Sequence, residues 1–318
     1  MQVRFQNSPK ETATMSTKET RDNFLIQNLM VQGEISLTYS HYDRIIVGGV
    51  VPTSESIALP NEGELKANFF LERREMGIIN VGGKGKVVAD GVSYGLDKLE
   101  CAYLGKGTKE VSFVSDDSSA PAMFYLLSVP AHASFPNKSM TKDEASPVHL
   151  GDFSTSNKRT IYKYIHNEGI QSCQLVMGLT ILEPGSVWNT MPAHVHDRRM
   201  EAYLYFDVTP GHAVLHLMGE TTETKHIWVH NHQAVISPPW SIHSGSGTKN
   251  YSFIWGMAGE NKDYTLEAYI EFNPMVDPEL SATPPIRFLP DSLHKIFADT
   301  NLIGRFKVLE QTANTGLF

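Results

Sequence analysis

The chain has 318 residues, long for a single core and suited to two domains of ordinary size. Apolar residues make up 41%, enough for a sizeable interior, while 27 basic against 35 acidic side chains leave a net charge of −8. That balance, with no lysine or arginine tract beyond the pairs Arg73-Arg74 and Arg198-Arg199, argues against a nucleic-acid partner, which needs a basic patch.

In chain order, residues 1–22 are polar and read as an N-terminal arm, partly disordered until it docks. The arm has no apolar signal-peptide core, and no stretch approaches the about 18 apolar residues of a membrane span. The expectation is a cytoplasmic protein without a membrane partner. From Phe24 the text is strand language. EISLTYSHYDRIIVGGVVP is rich in β-branched residues and ends in proline, and GIINVGGKGKVVADGVSYGL reads as strand, glycine turn, strand, turn, strand. FYLLSVPAH closes a first domain at 23–135. The segment 136–157 reads as a linker with a short capped helix in SMTKDEA. A second domain at 158–261 repeats short strands at close spacing, and residues 262–318 form an extension in which PDSLHKIF opens a short helix after Pro290. Many short strands with Gly/Pro turns define an all-β sandwich or small barrel. The two cysteines, Cys101 and Cys173, lie in apolar strand contexts without metal-ligand spacing and read as buried reduced thiols.

Two matches suggest a repeat. Glu72-Arg73-Arg74-Glu75-Met76 resembles Asp197-Arg198-Arg199-Met200-Glu201, and GTKEVSF at 107–113 resembles GTKNYSF at 247–253. On this alignment His194 and His196 correspond to Phe69 and Leu71, Glu201 to Met76 and His243 to Tyr103. Four candidate metal ligands in one copy are replaced together in the other, as expected when a partial site would leave buried polar groups unpaired.

The chemistry concentrates in MPAHVHDRRMEAYLYF. His194 and His196 alternate around Val195, so on a strand they face one way. Glu201 has the wrong parity for the same strand, which a turn over 197–200 and a returning hairpin strand would remedy. His243 follows the Pro-rich turn of PPWSIHSGSG and offers a fourth ligand. Arg198, Arg199, Arg159 and Lys158 are candidates to hold an anionic substrate group, each weighed against an ordinary surface role. Tyr203 and Tyr205 share the parity of Glu201 and are donors or core aromatics. His41 takes no catalytic role. His230 and His232 form a second H-x-H, but Ser237 stands where a carboxylate would be needed. They and His212, His216 and His226 read as exposed strand and turn histidines.

The pattern Gly185, His194-x-His196-x4-Glu201 and Pro238-x4-His243 resembles the two cupin motifs, with a longer gap after Gly185 than is usual. More narrowly, the runs SHYDRIIVGG, FFLERREMGIINVGGKG, YLGKGTKEV, SPVHLGD, NTMPAHVHDRRMEAYLYF, QAVISPPWSIHSGSGTK and FIWGMAGEN resemble the 5-keto-4-deoxyuronate isomerase family from Phe24 to about Asn261. The resemblance implies a bicupin of two small antiparallel jelly-roll barrels, the first degenerate. It also implies Zn2+ on His194, His196, Glu201 and His243, with Mn2+, Fe2+ and Ni2+ as alternatives, and a homo-oligomer, a hexamer. The implied activity is the ketol isomerisation of 5-keto-4-deoxyuronate to 3-deoxy-D-glycero-2,5-hexodiulosonate in pectin and uronate breakdown. No residue stands out as the catalytic base. The competing functions are a cupin dioxygenase or decarboxylase on the same ligands, and a non-enzymatic sugar-acid-binding cupin. The resemblance implies a short acidic run soon after Asn261, whereas this chain continues with KDYTLEAYIEF to Phe318.

Overall fold

The computed structural model describes residues 1–260 and 262 apart from Asp197; the extension beyond Lys262, with its expected helix, lies outside the described residues. Strands dominate, as the alternating patterns require. They form two pairs of facing sheets, each a seven-stranded sheet against a four-stranded one. The first seven-stranded sheet includes Ile35–Ser40, Ile46–Val50, Arg74–Asn80, Cys101–Leu104 and Phe124–Pro130, and faces a sheet built on Gly85–Ala89, Val92–Leu96 and Val111–Ser115. The tight hairpin joining Gly85–Ala89 to Val92–Leu96 turns on Asp90-Gly91, both at positive φ (48° and 82°), as two-residue hairpin turns demand. The second seven-stranded sheet includes Arg159–Ile165, Val176–Leu182, Arg199–Phe206, Gln233–Ser237 and Ser252–Gly259. It faces Trp188–His194, His243–Gly247, Val214–Glu220 and Glu223–Val229.

The two seven-stranded sheets share one core. Tyr125, Leu127 and Val129 from the first pack with Val176, Met177, Leu204 and Ile254 from the second, all fully buried. Glycine allows the close approach at two places. A Cβ on Gly256 would lie 2.0 Å from Leu127 Cδ1, and one on Gly77 would lie 2.7 Å from both Ile165 Cδ1 and Met177 Sδ. Glu75 pins the same seam. Its buried carboxylate accepts from the backbone N–H groups of Cys173, Gln174 and Leu175 (2.7, 2.9 and 2.9 Å) and from the Tyr103 hydroxyl (2.7 Å).

The N-terminal arm is ordered and docked. Both its helices, Pro9–Ala13 and Thr17–Phe24, start with a capping box, Ser8 with Glu11 and Ser16 with Glu19. Its first strand, Gln2–Arg4, lies on the first large sheet, while Leu25–Ile26 pairs with Gln233–Ser237 in the second. Arg21 donates to the Trp228 carbonyl (2.8 Å) and Lys225 to that of Ala13 (2.9 Å). Phe24, Leu25 and Ile26 are buried, each removing apolar surface worth about 1.5–3 kcal/mol. These three anchors lie just past the arm, where the apolar strand text begins.

Two expectations need correction. SMTKDEA does not form a helix. Thr141 and Glu144 exchange the hydrogen bonds of a capping box, but only a turn follows. The second repeat match also fails. Val111–Ser115 pairs with Ile57–Ala58 and Gly85–Ala89 just as His243–Gly247 pairs with Trp188–His194 and Val214–Glu220. Gly107-Thr108 therefore precedes the strand that Gly247-Thr248 follows. Glycine and threonine mark a turn in both places, and turn chemistry does not identify which turn. By strand pairing the counterpart of His243 is Phe113, opposite Ile57, and Tyr103 faces the seam with Glu75 instead. The match of Glu201 to Met76 agrees with the ladders, since Glu201 pairs with Ser237 and Met76 with Leu104, each the last residue of its strand. Met76, Leu71 and Phe113 belong to the apolar interior of the first sheet pair.

Candidate metal centre and substrate cleft

His194 ends the strand Trp188–His194 and His243 begins His243–Gly247, and the two are direct cross-strand partners. The pairing is irregular: four residues separate Asn189 from His194, against one between Gly245 and His243. This bulge accounts for the long gap after Gly185. It puts Thr190 in the left-handed region (φ 50°), with its hydroxyl 3.4 Å from that of Tyr203. His196 lies past the end of the strand and does not continue it. The expected hairpin is also absent. The chain crosses from the four-stranded sheet to the seven-stranded one, where Glu201 sits on Arg199–Phe206. The crossing brings the carboxylate in from the facing sheet, which parity within one sheet could not reveal.

The ligand nitrogens of His194, His196 and His243 lie within 4.8 Å of one another. Their ring centroids are 4.6–5.0 Å apart. Glu201 Oε2 is 2.9 Å from His243 Nε2 and 3.6 Å from His196 Nε2. Burial pushes His196 down to about 4, against the opposing pull of Glu201, so the imidazole is neutral and keeps a lone pair at neutral pH. Burial alone would raise the Glu201 carboxyl, but His243 and His196 outweigh it and hold the group well below the usual carboxylate range. A buried carboxylate converging with imidazoles is costly unless a cation joins it. The donor set of three nitrogens and one oxygen fits a divalent transition ion.

A narrow cleft, partly open to solvent, lies beside this cluster. Arg159 and Arg199 line it, both buried, with Tyr203, Thr190 and Thr180; Ile161, Phe253, Trp255 and Met257 supply apolar wall. Arg199 Nη2 lies 3.5 Å from His196 Nδ1, and Arg159 donates to the Asn157 carbonyl (2.9 Å). Burial holds the Tyr203 hydroxyl far above its ordinary value, with Glu201 acting in the same direction, so it remains a proton donor. Arg198 is elsewhere: it is exposed, pairs with Glu260 and is not among the residues lining the cleft. Lys158 stacks over the Phe153 ring, 4.6 Å from its centroid.

His216 is not exposed. It is fully buried below the cluster, with Nδ1 2.7 Å from the Tyr205 hydroxyl and its ring edge-on to Tyr203 (5.4 Å). Its alternation with buried Val214 and Met218 was the available signal. His226 and His230 are exposed on the facing strand and turn. Trp255, Thr180 and Thr190 went unnoticed because nothing local marks a residue whose partners lie on other strands.

Two linked jelly rolls, one filled with apolar side chains and one with histidines and a carboxylate converging inside it, define a bicupin. The chain belongs to the KduI/IolB family, whose profile matches residues 24–274. It is 56% identical over 265 residues to the 4-deoxy-L-threo-5-hexosulose-uronate ketol-isomerase of Caldicellulosiruptor bescii, covering 83% of this chain and 96% of that one. The corresponding protein of Halalkalibacterium halodurans is 54% identical over 271 residues, covering 85% and 98%. Among solved structures, an IolB-like protein from Salmonella typhimurium superimposes with a TM-score of 0.60 at 16% identity, over 76% of this chain and 94% of that one. Oxalate decarboxylase of Bacillus subtilis gives 0.51 at 10% identity, over 76% and 78%. These structures share the fold.

Proposed function

We propose that this chain is a metal-dependent aldose–ketose isomerase converting 5-keto-4-deoxyuronate to 3-deoxy-D-glycero-2,5-hexodiulosonate. The observation that carries the reading is the convergence of His194, His196, His243 and Glu201 beside a cleft with two buried arginines, in a chain more than half identical to proteins named for that activity. The four side chains would hold one divalent ion, zinc by family resemblance, with manganese, iron and nickel suited to the same donors. When bound, such an ion supplies Lewis acidity to adjacent carbonyl and hydroxyl oxygens. The reaction moves one hydrogen between neighbouring carbons, turning carbonyl into hydroxyl and hydroxyl into carbonyl, so no external oxidant is needed.

The remaining roles belong to the protein. Arg159 and Arg199 offer planar guanidinium groups to the substrate carboxylate. Tyr203 stays protonated and donates to a substrate oxygen. Phe253, Trp255 and Met257 keep water from the reacting carbons. The same reading carries a cytoplasmic homo-oligomer, a hexamer, acting in pectin and uronate breakdown.

The test is turnover of the ketouronate by metal-loaded protein, followed by ketose formation, with oxygen uptake measured in parallel. Isomerisation without oxygen uptake supports the reading. Oxygen uptake with no ketose would favour a dioxygenase, and binding without turnover a sugar-acid-binding cupin. In deuterated solvent, deuterium at the receiving carbon reports an enediol route, and its absence a hydride shift.

A further inference from the structure

The first sheet pair reaches the candidate metal centre through one hairpin. Residues 41–45, HYDRI, join Ile35–Ser40 to Ile46–Val50. Asp43 and Arg44 both adopt left-handed backbone (φ 46° and 53°), as the central pair of a hairpin turn closed by the Ile45 N–H on the Tyr42 carbonyl (3.2 Å). Further hydrogen bonds hold the tip in place. The buried Arg74 guanidinium donates to the Arg44 carbonyl (2.6 Å). Tyr42 exchanges hydrogen bonds with the backbone of Asn7 (2.8 and 2.6 Å). The tip so fixed places Asp43 Oδ2 2.8 Å from the backbone N–H of Met200, which donates to it. Met200 precedes Glu201. The neighbouring strand Gln233–Ser237 pairs with Arg199–Phe206 only from Glu201 onward. Asp43 supplies the acceptor where that strand has ended. On the same hairpin, the Tyr42 hydroxyl takes a hydrogen bond from the side chain of Trp240, in the turn that leads to His243.

We propose that Asp43 is a positioning residue for the metal centre: through the Met200 N–H it fixes where Glu201 enters the ligand cluster, so the metal-free half of the molecule sets the geometry of the metal-binding half. The inference rests on the metal-centre reading above. Asp43 is not among the residues that line the cleft or form the histidine cluster. It acts next to the one candidate ligand that arrives from the facing sheet, at the point where the pairing with Gln233–Ser237 begins. Groups that orient metal ligands typically change metal affinity 10- to 100-fold when removed.

The experiment compares wild type with Asp43→Ala, Asp43→Asn and Asp43→Glu. It measures Co2+ affinity by chelator competition, the cobalt absorption spectrum, and the melting temperature of the metal-free protein. Asp43→Ala is expected to weaken Co2+ binding about 10-fold or more and alter the spectrum. Asp43→Asn keeps an acceptor in place and is expected to bind within about 3-fold of wild type. Asp43→Glu keeps the charge but displaces the acceptor, and is expected to fall between them, so it decides the matter if the alanine variant does not fold. Tight cobalt binding with an unchanged spectrum in both the Ala and Glu variants overturns the inference while leaving the metal centre standing. A wild type that binds no cobalt overturns the metal centre, and the inference with it.

Discussion

His194 and His243 stand directly opposite each other on adjacent antiparallel strands, their ring centroids 4.6 Å apart. Neither strand carries Glu201, which approaches from the facing sheet to within 2.9 Å of His243. The cluster therefore depends on how the two sheets close, and its consequences can be tested at the cleft, at the seam between the halves and below the histidines.

The two buried arginines of the cleft should separate from the exposed one in kinetics. Arg159→Lys and Arg199→Lys keep the charge and lose the planar fork. Each is expected to raise KM for the ketouronate about 10-fold, the scale of one charge-assisted hydrogen bond. Arg198→Ala, which removes a rim pair with Glu260, should change KM by less than about 2-fold. Equal effects at all three positions in steady-state assays would remove the case for carboxylate recognition inside the cleft.

Glu75 should matter to stability more than to chemistry. Glu75→Ala strands three backbone donors and the Tyr103 hydroxyl in the seam. The expected cost is about 3–5 kcal/mol in urea unfolding. Tyr103→Phe removes one of the four donors and should cost about 1 kcal/mol. A Glu75→Ala protein as stable as wild type would mean that the seam reorganises around water.

Through His216 the metal-free protein is expected to lose stability in acid. Burial, with His243 adding to it, lowers the imidazole to about 3 in the folded state, against about 6.5 when unfolded. The stability gained by keeping it neutral is fully present above pH 6.5 and lost as pH falls from 6.5 towards 3. Between pH 7 and pH 5 the loss is about 2 kcal/mol. In His216→Gln, which retains a hydrogen-bond partner for Tyr205, that share of the decline should vanish. Parallel pH–stability curves for the two proteins would contradict the assignment.

The strands were legible because alternating apolar residues and Gly/Pro punctuation are local. The grouping of His194, His196, Glu201 and His243 was legible because their spacing straddles two turns. The correct reason for Glu201's parity was not, because a sheet-to-sheet crossing and a hairpin leave the same trace in the sequence. His216 was misjudged among five scattered histidines, since its burial depends on Tyr203 and Tyr205 from another sheet. Asp43 sits 157 residues from the backbone group it holds. No periodicity encodes such a contact. The GTK repeat misled for the opposite reason, being a local signal common to many turns.

In the proposed function, three imidazoles and one carboxylate bind an ion on which isomerisation depends. That dependence is tested most directly by measuring metal content and ketouronate isomerisation on the same preparations of wild type and His243→Ala, with Glu201→Gln alongside. The expected result is about one ion per wild-type chain, little or none in His243→Ala, weakened retention in Glu201→Gln, and turnover that falls in step with the metal. A folded His243→Ala protein that keeps its ion and turns the ketouronate over at the wild-type rate would contradict it.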